Sequence, residues 1–210
     1  QAAPMPQFSE QYLFAHAKSI DGRKQRDGTW IDFARQALWT AGVCDSAQLR
    51  YNPTPVAADV GQISSLPVAA PSKLVRHTAA TYRKVVGQTA TANRIHQLLS
   101  SGRPVAVSVP VFIDPTNSAK NNWNFKSALD HGEVLDPLPG MLAKGGHAVC
   151  ITGYQPDPAA AGGGWFVLRN SWGEDWGRRL PATGDSAPER VYGTISADYL
   201  DRFAWEYCQL

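Results

Sequence analysis

A histidine and a cysteine stand three positions apart in the segment GGHAVCITGY, residues 145–154. A histidine that acts as a general base needs a nucleophile within hydrogen-bond reach and a polar partner that fixes its ring. Cys150 is the nearest candidate nucleophile of His147, and Asn170, which opens the segment NSWG, is a candidate for the polar partner. These residue types suit nucleophilic attack on a carbonyl group, with the nucleophile still to be assigned.

The expected strand over 147–154 decides the role of Cys150. Side chains alternate along a strand, so His147 and Val149 share one face while Cys150 points to the other. We therefore interpret Cys150 as a small buried hydrophobic residue and not as the nucleophile. The same geometry, together with the lack of a second pair of ligands, argues against a zinc site that uses His147 and Cys150. We expect neither a metal nor a cofactor.

The residues around His147 suit a substrate-binding strand. Gly146 and the glycine before it would let the backbone of a substrate approach closely. Asn170 ends the next expected strand, 165–170, and two antiparallel neighbours would place Asn170 beside His147. Trp172 would then cover the hydrogen bond between them and strengthen it by excluding water.

Helices are expected in the first part of the chain. Ser9 is the predicted N-cap of a helix over 8–18, and Thr29 is the predicted N-cap of a second helix that Gly42 ends. Asp32 occupies the reciprocal capping position of this second helix. Its apolar residues recur at the spacing of one helical face, which is expected to be largely buried.

Strands dominate the second part of the chain. A third helix is predicted over 91–101, and the predicted strands cover 81–86, 104–112, 147–154, 165–170 and 190–195. Apart from the strand at 81–86, residues 45–90 show no sustained periodic spacing of apolar residues and are expected to form extended loops. Helices followed by strands indicate an α+β protein, with a helical lobe over 1–100 and a β lobe over 101–210.

Composition excludes several classes of partner. Twenty Lys and Arg residues against 18 Asp and Glu residues give a net charge of +2, without a dense basic run, so we expect no nucleic-acid partner. No apolar stretch approaches the roughly 20 residues that span a bilayer, so no membrane partner is expected. Three cysteines are too few for a disulfide framework and leave the compartment open.

Several segments resemble the papain family of cysteine peptidases. GGHAV and WFVLRNSWGEDWG resemble the segments in which the family carries its catalytic histidine and its orienting asparagine. Four further segments resemble family elements in family order from residue 8 to about residue 200: FSEQYL, DGTWIDFARQALWTAGV, GRPVAVSVPV and VYGTISADYL. The resemblance implies a helical lobe and an antiparallel β-barrel-like lobe with a cleft between them.

By the same resemblance, His147 and Asn170 are the catalytic base and its orienting partner, and Trp172 supports them. The family turn that pairs with the backbone of a peptide substrate falls at Gly28, with Thr29 beside the substrate pocket. The family's first glycine in that turn is Asp27 here, so the sequence of the turn departs from the family pattern. The expected substrate is a peptide or protein.

The nucleophile of the family precedes its Ser-Glu-Gln element, which is residues 9–11 in this chain. The resemblance therefore implies a cysteine upstream or on a companion fragment, seated in an apolar groove beside the Trp30 helix. The isolated chain is then expected to be inactive. Two alternatives stay open: an inactive peptide-binding or assembly module, and acyl transfer or amide hydrolysis on a non-protein substrate.

Overall fold

The computed structural model describes residues 7–23, 26, 28–52, 74–77, 80–173, 175–179 and 190–210. The chain divides into two compact units, Gln1–Ala80 together with Leu210, and Thr81–Gln209. Helices prevail in the first unit, and a large sheet forms most of the second, so the fold is α+β as predicted.

The described part of the first unit contains two helices, α1 over Glu10–Asp21 and α2 over Ile31–Thr40. The predicted N-cap is confirmed, because the Ser9 hydroxyl accepts a hydrogen bond of 3.0 Å from the Tyr12 amide. The helix α1 ends at Gly22, which adopts a left-handed φ of +67°. A small core in this unit contains Tyr12 and Ala15 of α1 together with Cys44.

The predicted N-cap of α2 is wrong. Trp30 occupies the N-cap position and makes no capping hydrogen bond through its side chain. The hydroxyl of Thr29 instead donates to Oδ2 of Asp21, at 2.9 Å. The Asp21 carboxylate at the end of α1 therefore binds the hydroxyl that we expected to cap α2. Asp32, expected at the reciprocal capping position, pairs with Arg35.

The apolar face of α2 is only partly buried. Ala37 and Leu38 are buried, as predicted, but 36% of the Trp30 surface remains exposed, and Ile31 and Ala34 are only partly buried. Gly42 has a φ of +79° and donates its N–H to the carbonyl of Ala37, so the predicted stop is confirmed. Most of the predicted loop region, 53–73, and Asp27 lie outside the described residues.

The second unit contains one sheet with helices beside it. Its strands and helices are, in chain order, β1 Thr81–Lys84, α3 Thr91–Leu99, β2 Val105–Asp114, β3 Asn117–Asn121, α4 Lys126–His131, β4 Glu133–Val134, β5 Leu142–Pro156, β6 Gly164–Arg169, β7 Arg178–Arg179, β8 Arg190–Ser196, α5 Ala197–Phe203 and β9 Glu206–Gln209. All the expected strands are present, and β5 extends beyond its predicted range at both ends.

The strand order is β1-β9-β2-β5-β6-β8-β4, with β3 beside β2 and β7 beside β8. Pairing is antiparallel except between β4 and β8. The sheet is open and not barrel-like, because among the described residues the end strands β1 and β4 do not pair with each other. The end strand β4 has only two residues, too few to continue the ladder.

The core of the second unit lies on one face of β2. Val105, Val107 and Val109 alternate along this strand and are fully buried, as are Ile95 of α3 and Tyr199 of α5. Each large apolar side chain that is fully buried contributes about 1.5–3 kcal/mol of transfer free energy. This core fixes β2, and β5 pairs with β2 along most of its length, so the core also fixes the strand that carries His147.

Candidate active site

His147 and Asn170 meet where two neighbouring antiparallel strands lie side by side. His147 belongs to β5, and Asn170 directly follows β6. The ring atom Nε2 of His147 lies 2.7 Å from Oδ1 of Asn170. Oδ1 also accepts the backbone N–H of Ser171 at 2.8 Å, so it is an acceptor and Nε2 must carry the proton. The structure thus brings together the two residues that the sequence singled out.

The second ring nitrogen of His147 carries the lone pair. Within the described ranges, Nδ1 of His147 makes no hydrogen bond, so its lone pair can accept a proton. Burial lowers the pKa of His147 below its ordinary value, and the hydrogen bond to Asn170 opposes this only in part. The imidazole is therefore neutral at pH 7 and in the form that a general base requires.

Aromatic rings enclose the imidazole. Trp172 lies 4.6 Å from the His147 ring, centroid to centroid, and Trp123 meets it edge-on at 4.9 Å. Trp172 keeps 42% of its surface exposed, so it covers one side of the histidine while facing solvent. Trp123 is fully buried and stacks on Trp176 at 6.2 Å. These rings account for the desolvation of His147.

Trp123 is a site residue that the sequence analysis missed. It lies in a polar segment, NNWNF, that has no helical or strand period. Its neighbour Asn122 is also fully buried and holds the segment, accepting the Phe112 amide and donating to the Tyr199 hydroxyl and the Leu135 carbonyl. A large aromatic residue between asparagines was the available signal, but its burial depends on partners far away in the chain.

The cysteines of the second unit lie away from the histidine. In the sheet register, Cys150 pairs with Ala106 on one side and Arg169 on the other, while His147 pairs with Val109. The alternation of side chains along β5 therefore places Cys150 on the opposite face from His147, as predicted. Cys208 pairs with the other side of Ala106 and thus shares the face of Cys150.

Burial makes the cysteine thiols poor nucleophiles. It raises the pKa of Cys150, with an opposing effect from Arg169, and it raises the pKa of Cys44 in the first unit. Cys208 has 5% of its surface exposed. Because the thiolate is the reactive form, the environments of Cys44 and Cys150 suit structural roles.

The two glycines before His147 have different surroundings. A Cβ atom added to Gly146 would lie 2.6 Å from Cζ3 of Trp205, whereas one added to Gly145 would have no atom within 4 Å. Gly146 is thus required for the packing of Trp205 against β5. Its expected contact with a substrate backbone stays a prediction.

The predicted substrate-binding turn belongs to the first unit. Gly28 is exposed and has a φ of +74°, which favours glycine. Thr29 is half-buried, and its hydroxyl is bound to Asp21. The role of both residues toward a substrate also stays a prediction.

Across the described ranges, no group of three or more His, Cys, Asp or Glu side chains could hold a metal ion. Over the same residues, no helix combines the length and the apolar character needed to cross a membrane.

An α+β fold in which a histidine is hydrogen-bonded to an asparagine at the end of the adjacent strand is similar to the arrangement in cysteine proteases. The model of the papain family cysteine proteases matches residues 2–180, and the chain belongs to this family. The family resemblance predicted from the sequence is confirmed, and the fold supports a peptidase function. Among curated proteins, no sequence matches.

Solved structures of low identity share the fold. Xylellain, a cysteine protease from Xylella fastidiosa, is 21% identical with a TM-score of 0.64, and the match covers 99% of this chain and 70% of that one. A structure from work on the mite allergens Blo t 1 and Der p 1 is 15% identical with a TM-score of 0.58, over 100% of this chain. The Carica candamarcensis cysteine protease CMS1MS2, in complex with E-64, is 16% identical with a TM-score of 0.55. The match to the Carica protease covers 99% of this chain and 78% of that one. The match to the mite-allergen structure covers 58% of that chain.

Proposed function

We propose that this chain supplies the histidine and asparagine of a cysteine peptidase that hydrolyses peptide bonds through a thioester. The observation that carries the proposal is the geometry of His147. Its Nε2 is held 2.7 Å from Oδ1 of Asn170, and its Nδ1 has no hydrogen-bond partner among the described residues. Membership of the papain family supports the same reaction.

The reaction assigns one role to each part of the pair. Nδ1 of His147 takes the proton of a cysteine thiol, and the thiolate attacks the carbonyl carbon of the peptide. The imidazolium then protonates the leaving amine, which leaves a thioester. Water attacks the thioester, His147 accepts a proton from that water, and the acid product leaves as the thiol is restored.

Asn170 and Trp172 keep the histidine ready for these steps. The Asn170 oxygen fixes the tautomer with the proton on Nε2, so that the basic lone pair stays on Nδ1. Trp172 covers the ring and limits the access of water to the hydrogen bond. Neither residue exchanges a proton with the substrate.

The nucleophile in this proposal is a cysteine outside the 210 residues, either in the same natural polypeptide or on a companion fragment. Cys150 is unsuited because it lies on the other face of β5, and Cys208 shares that face. Cys44 is buried, and its pKa is raised by burial. The isolated 210-residue chain is expected to hydrolyse no peptide.

The substrate in this proposal is a peptide or protein. Gly28 pairs with its backbone, Thr29 lies beside the pocket for one of its side chains, and Gly146 lies next to its backbone near His147. Gly28 suits this role because it is exposed and has no side chain to obstruct a second backbone.

A second candidate is a peptide-binding or assembly module without catalysis. It is favoured by the placement of Cys150 on the face opposite to His147. Against it stands the geometry of His147, because a binding module gains nothing from a partly buried imidazole whose basic nitrogen has no hydrogen-bond partner among the described residues.

Labelling of the natural full-length protein by a thiol-directed epoxide separates the two candidates. The peptidase predicts that one cysteine outside these 210 residues is labelled and that His147→Ala abolishes labelling, whereas Cys150→Ala does not. Mass spectrometry of the digested protein identifies the labelled residue. Absence of labelling in the wild type would favour the binding module.

A further inference from the structure

Lys18 and Asp21 form a buried ion pair at the end of α1. Their side chains are 1% and 2% exposed, and Nζ of Lys18 lies 2.8 Å from Oδ2 of Asp21. Burying two charges costs free energy that their mutual attraction offsets only if further hydrogen bonds satisfy both groups. The additional partners of this pair therefore indicate what it holds in place.

Those partners belong to the loop that connects α1 to α2. Nζ of Lys18 also donates to the carbonyl of Gly28 at 3.0 Å, and Oδ2 of Asp21 accepts the hydroxyl of Thr29 at 2.9 Å. The other carboxylate oxygen of Asp21 accepts the backbone N–H of Arg23 at 2.7 Å. One ion pair thus binds the loop both where it leaves α1 and where it returns toward α2.

The same contacts engage one of the two backbone groups of Gly28. Its carbonyl oxygen is held on the inner side by Lys18, while Gly28 itself is exposed. The N–H of Gly28 makes no hydrogen bond among the described residues, and a Cβ atom added there would meet nothing within 4 Å. Among the described residues, the ion pair thus engages the carbonyl of this exposed glycine and leaves its N–H unbonded.

We propose that Lys18 and Asp21 are positioning residues that hold the Gly28–Thr29 turn in the form a peptide substrate pairs with. Holding the loop before binding reduces the conformational entropy lost when the peptide binds. The peptide partner rests on the proposed function, whereas the restraint on the turn rests on contacts within the first unit.

The test compares variants of the natural full-length protein. Asp21→Asn weakens the bonds to Lys18 and Thr29, and Thr29→Val removes one hydroxyl bond with little change of shape. Asp198→Asn is the control, because it removes the carboxylate of an exposed ion pair with Arg202 in the second unit. The 15N relaxation order parameters of the Gly28 and Thr29 amides measure the restraint, and KM and kcat for a peptide measure its consequence.

We expect the order parameters of Gly28 and Thr29 to fall to about 0.6 or below in Asp21→Asn, as in a flexible loop. We expect KM to rise about tenfold, corresponding to one lost charge-assisted hydrogen bond, with kcat close to the wild-type value. Thr29→Val should show a smaller change in the same direction, and the control should change none of these. If Asp21→Asn does not fold, the order parameter of Gly28 in Thr29→Val decides.

Two results would overturn the inference. One is wild-type order parameters at Gly28 and Thr29 in the folded variants, and the other is a fall in kcat at constant KM. If the wild-type protein hydrolyses no peptide, the proposed function fails, but the relaxation measurement still decides whether the ion pair holds the turn. The two failures are therefore distinguishable.

Discussion

The hydrogen bond between Nε2 of His147 and Oδ1 of Asn170 joins β5 to the end of β6 at 2.7 Å. The oxygen is fixed from its other side by the Ser171 amide. The backbone N–H of Asn170 donates in turn to the carbonyl of Val191 at 2.8 Å, and Val191 belongs to β8, the strand that pairs with β6. A rigid sheet, and not a loop alone, therefore sets the tautomer and direction of the imidazole.

Replacement of Asn170 by Ala should lower kcat by about 10- to 100-fold, the effect of losing one hydrogen bond to a group that becomes charged during the reaction. Without the acceptor, the ring can rotate, and its proton can move to Nδ1. Steady-state hydrolysis of a peptide by the full-length protein measures the change.

Asn124→Ala is the matched control for Asn170→Ala. The Asn124 side chain binds the Asn121 amide and the Ala119 carbonyl within the hairpin segment and does not contact His147. Its loss should leave kcat near the wild-type value. Equal losses in the two variants would mean that the Asn170 effect is one of general stability.

The pKa of His147 should rise when Trp172 is replaced by Ala. Burial lowers this pKa in the folded protein, and removing an indole ring 4.6 Å away admits water that stabilises the charged form. Titration of the histidine by NMR in the isolated chain measures the shift without interference from a nucleophile. A pKa that stays constant or falls would show that Trp172 does not desolvate the ring.

The depressed pKa of His147 also makes stability depend on pH. The unfolded state binds a proton to this histidine at higher pH than the folded state does. The contribution of neutral His147 to the free energy of unfolding is therefore fully present above the unfolded pKa. It declines as pH falls from the unfolded pKa to the folded pKa. The decline in unfolding free energy, measured by urea denaturation, should be smaller in Trp172→Ala than in the wild type.

Gly146→Ala should destabilise the protein by about 1–3 kcal/mol, the usual cost of overpacking. The added methyl group would lie 2.6 Å from Trp205, so that ring or β5 must move. Gly145→Ala is the control, because the same methyl group meets nothing within 4 Å there. Urea denaturation measures both, and equal costs would contradict the packing role of Gly146.

Asp21→Asn should cost more stability at neutral than at acid pH. Burial would raise the pKa of Asp21, but hydrogen bonds from Lys18, the Arg23 amide and Thr29 outweigh it and lower the pKa. The stability from this carboxylate is thus present above the unfolded pKa and is lost as pH falls through the folded pKa. In denaturation experiments, the free energies of unfolding of variant and wild type should differ at pH 7 and converge below about pH 3.

Local sequence patterns predicted the parts of the site that depend on strand geometry. Alternation along β5 placed Cys150 on the face opposite to His147, and the register with β2 and β6 agrees. The motif spacing placed Asn170 at the end of the adjacent strand. Both inferences need only the period of a strand and the pairing of neighbours.

Partners distant in the chain explain what local patterns missed. Thr29 resembles an N-cap, but the Asp21 carboxylate, eight positions earlier, takes its hydroxyl. Trp123 lies among asparagines, and its burial follows from stacking with Trp176 and a hydrogen bond that its carbonyl accepts from that indole. The open sheet depends on the two-residue end strand β4, which carries no sequence signal.

The most direct test of the proposed peptidase is peptide hydrolysis by the natural full-length protein in which Cys44, Cys150 and Cys208 are all replaced by Ala. The proposal predicts that this variant folds and retains its turnover, and that adding His147→Ala abolishes the turnover. Retained binding of a thiol-directed epoxide would report the nucleophile directly. Loss of all turnover in a folded triple variant would contradict the proposal, because the nucleophile would then be one of these three cysteines.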